Sequence, residues 1–490
     1  MDSGSSDSEQ DKSAPHIQRL LADTVIYKSP FSDIARVING GGDLNKPVVK
    51  GLCALHYAVY DNDTDYTTEL IRMGASVHVT DDVGYTPLHI CAKHGHCECM
   101  QILIDNGAFV NFCGGGSSIP EASQIFGYLT IEPLNLAIEN NNVSCVRMLL
   151  DRGAKPDNRY FLGYEINLVP LENLKCLELL LNYGADPDVF SRSGLNALMK
   201  ACKEQNLDAM KLLIKHGADV NISNNPRFDE KTPLYYAIMG GNPDVIQILL
   251  DANVDLTKPV CHNMFPLTLA VSRDKLAVSR LLLDYGASVD EKNFDGMNPL
   301  ISICTSSYLK HQYELLELIL DNGADPNVHF AYVSHSCPSL APIVEYFVYN
   351  DEINPDLVHA LIKYGARVTL CESTTRMFKI QNAFGIIRQM HKFARYPDVF
   401  NLVLDAVDEF EILAIKLSNL TLDKQQQMIV MATNPMSLRR LARFRLRRLL
   451  KPVLPRRVAC LPLPELLKSY ILYEAKIESK FSDSDEEDGA

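Results

Sequence analysis

Short apolar stretches alternate with polar turns along most of the chain, and one kind of turn recurs at a regular spacing. A Gly-Gly or Gly-Ala pair follows an apolar segment at Gly41, Gly74, Gly107, Gly153, Gly184, Gly217, Gly286, Gly323 and Gly365. The first two intervals are both 33 residues (74 − 41 and 107 − 74). Glycine adopts the left-handed backbone conformation that ends a helix at little cost. The pattern therefore predicts an array of short helical repeats rather than one compact core.

One copy of the repeat shows how each unit is built. Residues 82–92 have the sequence DVGYTPLHICA, and an apolar helix and the turn DNGA at 105–108 follow them. Pro87 suits the first turn of a helix, where an N–H has no partner, and Thr86 can cap that helix beside His89. The second helix has an apolar stripe made of Cys97, Cys99, Met100, Leu103 and Ile104. Weaker copies begin at Leu52, Glu132, Leu195, Lys231, Phe265 and Met297.

This unit resembles the ankyrin repeat, which has a period of about 33 residues. The resemblance implies an all-α fold over residues 15–407: an ankyrin-repeat solenoid of about nine or ten repeats, with β-hairpin fingers and degenerate outer copies. Three departures from the regular spacing are candidates for ligand contact, or else tolerated surface loops. They are Phe112–Thr130, Asn221–Lys231 and Thr305–Lys310.

The repeat pattern stops near Asp408, and an amphipathic helix is predicted beyond Asn434-Pro435. Residues 437–450 are SLRRLARFRLRRLL, with six arginines on the faces that the apolar residues leave open. The apolar residues at helical spacing are Leu438, Leu441, Ala442, Leu446 and Leu449. Ser437 is the expected N-cap, and Pro452 with Pro455 is expected to end the helix.

A second helical segment follows at 461–473, LPLPELLKSYILY. Pro464 can open a helix in which Leu467, Tyr470 and Ile471 share a face. The two segments together resemble a SOCS box over residues 436–475, and their position resembles the ankyrin repeat and SOCS box family. In that family the first helix binds elongin C, and a Leu-Pro-x-Pro motif followed by an apolar helix binds a cullin.

The resemblance assigns roles to individual residues of both segments. The elongin C-binding residues are Leu438, Leu441, Ala442 and Leu446, with Ala442 at a position where the family usually has Cys. The cullin-binding residues are Leu461, Pro462, Leu463, Pro464, Leu467 and Tyr470. This motif begins 23 residues after Leu438 (461 − 438).

The family resemblance implies a substrate-recognition subunit of a ubiquitin ligase. Elongin C and elongin B, cullin-5 and its RING partner are the expected partners, and the ankyrin repeats would hold an unknown protein substrate for ubiquitination and degradation. The alternative is an ankyrin scaffold or inhibitor without ligase recruitment. The two helical segments could instead cap the solenoid, and the arginine run could be a nuclear-import or nucleic-acid patch.

Composition narrows the classes of partner. The 47 Lys and Arg against 61 Asp and Glu give a formal charge of −14, which disfavours nucleic acid as the main partner. No stretch approaches the roughly 18 consecutive apolar residues of a membrane span. The 13 cysteines are scattered, and the polar start of the chain does not resemble a signal peptide, so a reducing compartment, cytoplasm or nucleus, is expected.

A search for catalytic and metal-binding chemistry finds one candidate. Residues 94–99, HGHCEC, offer thiols and imidazoles to zinc, but Cys97 and Cys99 fall at apolar positions of the repeat and no second pair lies at a zinc-site spacing. No phosphate-binding loop or nucleophile elbow is present. The sequence predicts no metal, cofactor or catalytic residue, and hence an adaptor rather than an enzyme.

The remaining segments are a helical linker at 408–435 and two acidic termini, 1–14 and 476–490, which are expected to be disordered. Ser482 and Ser484 precede an acidic run and are candidates for phosphorylation. Asn221 follows Leu213 by eight residues and resembles the asparagines that an asparaginyl hydroxylase modifies in ankyrin repeats. A turn-forming role is the simpler interpretation of Asn221.

Overall fold

The computed structural model describes most of the chain, in two compact units that divide between Phe228 and Asp229. The described residues are 10–47, 51–112, 132–157, 159–160, 163–328, 341–370, 386–410, 415–416, 418, 420–434, 436–450 and 454–474. Most of the predicted loop Phe112–Thr130 and the tail with Ser482 and Ser484 lie outside them. No helix in the described ranges is long and apolar enough to cross a membrane.

The first unit consists of short helices that follow one another as hairpins. They are α1 (Gln10–Ile26), α2 (Phe31–Asn39), α3 (Ala54–Tyr60), α4 (Thr64–Arg72), α5 (Pro87–His94), α6 (Cys97–Asp105), α7 (Pro133–Glu139), α8 (Val143–Asp151), α9 (Glu165–Leu168), α10 (Leu174–Asn182), α11 (Ala197–Glu204) and α12 (Leu207–Lys215). Strands β1 (Arg159–Tyr160) and β2 (Gly163–Tyr164) pair antiparallel, so one predicted finger is a β-hairpin. A 3₁₀ turn covers Pro226–Phe228.

The repeat sequence fixes the start of each first helix through a local cap. The Thr86 N–H donates to Nδ1 of His89 at 3.1 Å, and the Thr86 hydroxyl lies 2.8 Å from the same nitrogen, which confirms the predicted cap. In the preceding repeat Nδ1 of His56 accepts from the Cys53 N–H at 3.0 Å, while Nε2 lies 3.2 Å from the Tyr85 carbonyl of the next repeat. One side chain thus closes its own helix and ties two repeats together.

Glycine and leucine complete each hairpin. Gly107 follows α6 with φ = +91°, the left-handed conformation that its sequence position predicts. The turn allows the Ala108 N–H to donate to the Leu103 carbonyl at 3.0 Å. Leu88 and Leu103 are fully buried between the helices, and burial of this kind stabilises each side chain by about 2 kcal/mol.

The second unit repeats the hairpins and then adds four further helices. Its helices are α13 (Pro233–Gly240), α14 (Pro243–Asp251), α15 (Pro266–Ser272), α16 (Leu276–Asp284), α17 (Pro299–Thr305), α18 (Gln312–Asp321), α19 (Pro342–Tyr349), α20 (Pro355–Lys363), α21 (Ile386–Phe393), α22 (Pro397–Ala406), α23 (Leu422–Thr433), α24 (Leu438–Leu449), α25 (Leu454–Ala459) and α26 (Glu465–Ile471). Strands β3 (Val368–Leu370) and β4 (Val407–Phe410) pair in parallel.

The predicted helical class is confirmed, with differences at the edges. Helix α1 begins at Gln10, within the range 1–14 predicted to be disordered, and its second half is anchored by the buried side chains of Leu21 and Val25. The predicted helical linker 408–435 begins inside β4. Val368 and Val407 are both fully buried, and such β-branched residues favour a strand pair at this point.

Two of the lengthened loops are held against the repeat that precedes them. In the first unit the Asn224 side chain donates to the Gly194 carbonyl at 3.1 Å. In the second unit the N–H groups of Lys310 and His311 both donate to the Asp274 carboxylate at 3.1 Å. Their backbones are therefore fixed, and a role in ligand contact remains a proposal for both loops.

A buried carboxyl group in the first unit makes the stability of that unit depend on pH. Glu165 opens α9 and is fully buried, and neither carboxylate oxygen has a hydrogen-bond partner among the residues that the structure describes. Burial, with a smaller contribution from the negative charges of Glu132 and Asp157, raises the pKa of the Glu165 carboxyl to about 9. The group is therefore protonated in the folded protein at neutral pH, although it ionises in the unfolded chain.

We expect Glu165→Gln to stabilise the first unit in a pH-dependent way. Because the folded pKa lies above the unfolded value of 4.5, wild-type stability is retained below pH 4.5 and falls as the pH rises towards 9. The loss is roughly 3 kcal/mol at pH 7, and glutamine removes it. Urea unfolding should give similar midpoints for both proteins at pH 5 and a higher midpoint for the variant at pH 8. Equal midpoints at pH 8 would contradict the buried position.

Candidate functional site

The helices α24, α25 and α26 share a small apolar core of their own. Leu454, Val458, Ile471 and Leu472 are buried in it, and the partly buried residues packed against it are Leu446, Leu450 and Leu463. Leu446 and Leu463 were predicted to contact elongin C and a cullin, respectively. In this structure both side chains help to hold the three helices together.

The start of α24 agrees with the sequence prediction, but a further helix that was not predicted, α25, follows its end. The Ser437 hydroxyl accepts a hydrogen bond from the Arg440 N–H at 3.3 Å, which confirms the predicted N-cap. Helix α24 ends at Leu449. Pro455 was expected to do no more than terminate this helix, but it lies in the first turn of α25, where proline is tolerated because the first turn needs no N–H donor.

Three of the six arginines of α24 form one face, here named the arginine face: Arg440, Arg443 and Arg447. At 100° per residue, these positions lie within about 60° of one another around the helix. Arg443 is only 3% exposed and Arg447 only 6% exposed. Such burial requires partners, because an unpaired buried charge is costly.

Two residues of the arginine face bind the end of α22. The Arg440 guanidinium donates to the carbonyl groups of Leu404 and Val407 at 2.8 and 3.1 Å. The Arg443 guanidinium donates to the Asp405 carboxylate at 2.8 Å and to the Asp405 carbonyl at 3.2 Å. The last carbonyl groups of a helix have no partner within it and carry the negative end of the helix dipole, so a cation is favourable there.

Arg447 joins two further helix ends. One guanidinium nitrogen donates to the Ile471 carbonyl at 2.6 Å, at the end of α26, and another donates to the Ile362 carbonyl in the last turn of α20. The Arg447 side chain therefore connects α24 to α26 and to the repeat helix α20.

Tyr473 lies between the arginine face and the repeat helices. The guanidinium groups of Arg443 and Arg447 are 3.8 and 4.7 Å from the centre of its ring, within the range of cation–π attraction. Burial raises the pKa of the Tyr473 hydroxyl to about 12, although the nearby arginines oppose that rise. The Tyr473 carbonyl lies 3.1 Å from Nε2 of His359 on α20. Tyr473 therefore contacts the arginine face through its ring and the repeat helix α20 through its backbone.

The opposite side of α24 is apolar and open to solvent. We name Leu438, Leu441, Ala442 and Leu449 the leucine face. Leu438 is 84% exposed, Leu441 47% and Leu449 65%, and Ala442 is also exposed. Leu438 and Arg447 are nine residues apart and so point in opposite directions from the helix. A helix that buries arginine and exposes leucine reverses the usual arrangement, and an exposed apolar stripe of this kind is typical of binding surfaces.

The Leu-Pro motif forms a second exposed segment before α26. Pro462 and Pro464 are exposed, and Leu461 is half-buried. On α26 Leu467 is 40% exposed, and Leu466, which was not predicted as a site residue, is 57% exposed. Tyr470 is half-buried, with the Arg443 guanidinium 4.6 Å from the centre of its ring.

The other predicted sites have different outcomes. In the part of the chain that the structure describes, no group of three or more His, Cys, Asp or Glu side chains is placed to hold a metal ion. Asn221 follows its turn glycine by four residues, as Asn111 does, and Asn111 bonds to the Gly153 carbonyl of the next repeat at 2.9 Å. The shared position supports a structural role for Asn221, whose own N–H donates to the Asp219 carboxylate at 2.8 Å in the local turn. Hydroxylation there and phosphorylation of Ser482 and Ser484 remain predictions.

Comparison with protein-family models finds two kinds of module in the chain. Models of ankyrin repeats match residues 25–112 and 168–260, and a single-repeat model matches 133–160. A SOCS box model matches residues 434–472, which include α24, α25 and α26. The chain is an ankyrin-repeat protein with a SOCS box. The arginine face is therefore the contact between its SOCS box and the hairpins before it.

Individual relatives are similar to parts of the chain. Ankyrin repeat and SOCS box protein 14 of Mus musculus is 27% identical over 275 residues, which cover 50% of this chain and 44% of that protein. E3 ubiquitin-protein ligase KEG of Arabidopsis thaliana is 21% identical over 346 residues, 70% of this chain and 18% of that protein. The matched region spans less than half the length of each of these relatives.

Among solved structures, the chain is similar to the ankyrin repeat domain of Bcl-3, a member of the IkappaB protein family. The sequence identity is 26% and the TM-score is 0.40, with 47% of this chain and 97% of that chain covered.

We expect Arg447→Ala to loosen the SOCS box. The change leaves two buried carbonyl groups without their charged donor, which costs about 2 kcal/mol and corresponds to about 30-fold faster local opening. Hydrogen exchange of the amides in 465–473 should accelerate by that factor. The control is Arg445→Ala, since Arg445 lies exposed on the same helix. If both variants exchanged at the wild-type rate, the contacts of Arg447 would not hold the box.

Proposed function

We propose that this protein is the substrate-recognition subunit of an elongin B/C–cullin–RING ubiquitin ligase. The leucine face binds elongin C, the Leu-Pro motif binds the cullin, and the ankyrin repeats hold the substrate. Cullin-5 and its RING partner are the proposed scaffold. The protein itself performs no chemistry in this proposal: it brings a substrate lysine near a ubiquitin-loaded enzyme, and the rate gain comes from proximity.

The exposed leucine face is the observation that carries this proposal. A stripe of leucines on one helix suits insertion into an apolar groove of a partner. Leu438 and Leu441 are free for such a partner because the arginine face, rather than the leucine face, is occupied by the repeats. The same geometry disfavours the interpretation of the arginine run as a nucleic-acid or nuclear-import patch, since Arg443 and Arg447 are buried.

The small residue at Ala442 is compatible with a closely approaching partner. Ala442 is exposed on the leucine face, between Leu438 and Leu446 in the sequence. Alanine adds little side-chain volume, so a neighbouring helix or loop can come near the backbone of α24. In this proposal Leu446 acts indirectly, by fixing α24 on the core of the box.

The substrate is a protein held by the ankyrin repeats. The overall charge of −14 favours a substrate surface that is neutral or basic. A reducing compartment, the cytoplasm or nucleus, is the proposed location, and it suits the ten cysteines that are unpaired in the described residues.

We expect Leu438→Glu to abolish elongin C binding. A carboxylate in an apolar groove costs several kcal/mol, enough to weaken a complex by about 100-fold or more. Pull-down of elongin C with the full-length chain measures the loss, and ubiquitin transfer to the substrate should stop. Substrate binding should persist, since the exposed Leu438 side chain is not part of the hairpin cores.

Leu422→Glu is the matched control for this change. Leu422 is the first residue of α23 and is 82% exposed, as Leu438 is the first residue of α24 and is 84% exposed. A charge at Leu422 should leave elongin C bound. Wild-type elongin C recovery with the Leu438 variant would contradict the proposal and favour a capping role for these helices.

We expect the triple change of Leu461, Pro462 and Pro464 to alanine to remove the cullin alone. The two prolines are exposed and lie outside α24, so the leucine face is unchanged and elongin B/C should be retained. Leu463 is left intact because it packs on the core of the box. Quantitative co-purification of elongin C and cullin with the same bait separates the two effects. Undiminished cullin recovery would show that the motif is not its binding site.

A further inference from the structure

Two cysteines from neighbouring repeats meet in the first unit. Cys97 is the first residue of α6, and Cys145 lies in the first turn of α8, the equivalent helix of the following repeat. Their sulfur atoms are 3.1 Å apart. This separation is below the roughly 3.5–4.0 Å optimum of non-bonded heavy atoms, so the two thiols are in direct contact.

The two thiols differ in their access to solvent. Cys145 is fully buried, whereas Cys97 is partly exposed. Cys91 and Cys99 are close by but are both fully buried, so Cys97 is the member of this group that a dissolved oxidant reaches. A partly exposed thiol beside a buried second thiol is the arrangement of a redox-sensitive pair.

We propose that Cys97 and Cys145 are a redox-sensitive dithiol, which a hydroperoxide converts into a reversible disulfide between two adjacent repeats. Cys97 is the thiol that the hydroperoxide oxidises first, and Cys145 is the resolving thiol. The disulfide would join α6 to α8 directly and add a covalent link between two hairpins that already contact each other through packing, hydrogen bonds and the Arg152–Asp105 ion pair.

The chemistry balances in two steps. The Cys97 sulfur attacks one oxygen of the hydroperoxide, the O–O bond breaks, and Cys97 becomes a sulfenic acid while one water (or alcohol) leaves. The Cys145 sulfur then attacks the Cys97 sulfur and forms the S–S bond. The departing hydroxide takes the Cys145 proton and leaves as water. The two sulfurs lose two electrons in total, and the peroxide gains them.

The surroundings of Cys145 suit the resolving role. Burial, together with the contact to Cys97, raises the pKa of the Cys145 thiol well above its ordinary value. Cys145 therefore stays protonated and is not the first thiol to be oxidised, and it is its contact with the Cys97 sulfur that places it to react with a sulfenic acid there. A thiol reductant would reverse the disulfide by attack at the partly exposed Cys97 sulfur.

Oxidised full-length protein should contain one specific linkage. Digestion after Glu and Asp places Cys91 and Cys97 in fragment 83–98, Cys99 in 99–105, Cys113 in 106–121 and Cys145 in 140–151. After mild hydrogen peroxide treatment, mass spectrometry without reduction should find 83–98 joined to 140–151, with the link at Cys97. Dithiothreitol should separate the two fragments.

Three variants test the assignment. Cys97→Ser, at a partly exposed helix start, should fold and lose the linkage, and Cys145→Ser should accumulate sulfenic acid at Cys97 instead. Cys99→Ser, in the same helix, should keep the linkage. Exposed Cys460 serves as the internal measure of oxidant dose. Hydrogen exchange in α6 and α8 should slow at least several-fold in the disulfide form.

Three results would overturn the proposal. The first is irreversible oxidation of Cys97 without a disulfide. The second is a linkage that uses Cys99 or Cys113 in place of Cys97 or Cys145. The third is unmodified Cys97 at a peroxide dose that has fully oxidised Cys460.

Discussion

The contact between three arginines and the ends of neighbouring helices determines how the SOCS box is presented. Arg440, Arg443 and Arg447 bind backbone carbonyl groups at the ends of α20, α22 and α26, which have no partner within their own helices. The cation meets the negative end of each helix dipole, so each contact satisfies two electrostatic requirements at once. Because the arginine face is held inward, the leucine face must point outward.

The chemistry of the contact also explains why arginine suits this role better than an apolar residue. A leucine stripe docked on the repeats would bury more apolar surface, but it would remove the charged donors from the helix-end carbonyl groups and leave no apolar face for a partner. Burying charge gives little net stability by itself, and its usual benefit is a defined orientation. The planar guanidinium group can donate to two acceptors and stack on Tyr473 at the same time.

Much of the fold, but less of the site, follows from the sequence. The turn at Gly107 and the caps at Thr86 and Ser437 depend on local chemistry, which the sequence displays directly. The burial of Arg447 depends on Ile362, 85 residues earlier, and the contact of Cys97 depends on Cys145, 48 residues later. The one local clue is that the buried arginines are spaced by three and four residues, which places them on one helix face.

The central claim is that the box binds elongin C with its leucine face while its arginine face stays on the repeats. Hydrogen exchange of the full-length chain with and without purified elongin B/C tests this directly. The account predicts new protection in residues 438–446 and unchanged exchange in 397–406, because the helix-end contacts persist in the complex. Unchanged exchange in 438–446, or faster exchange in 397–406 as the arginines are released, would contradict it.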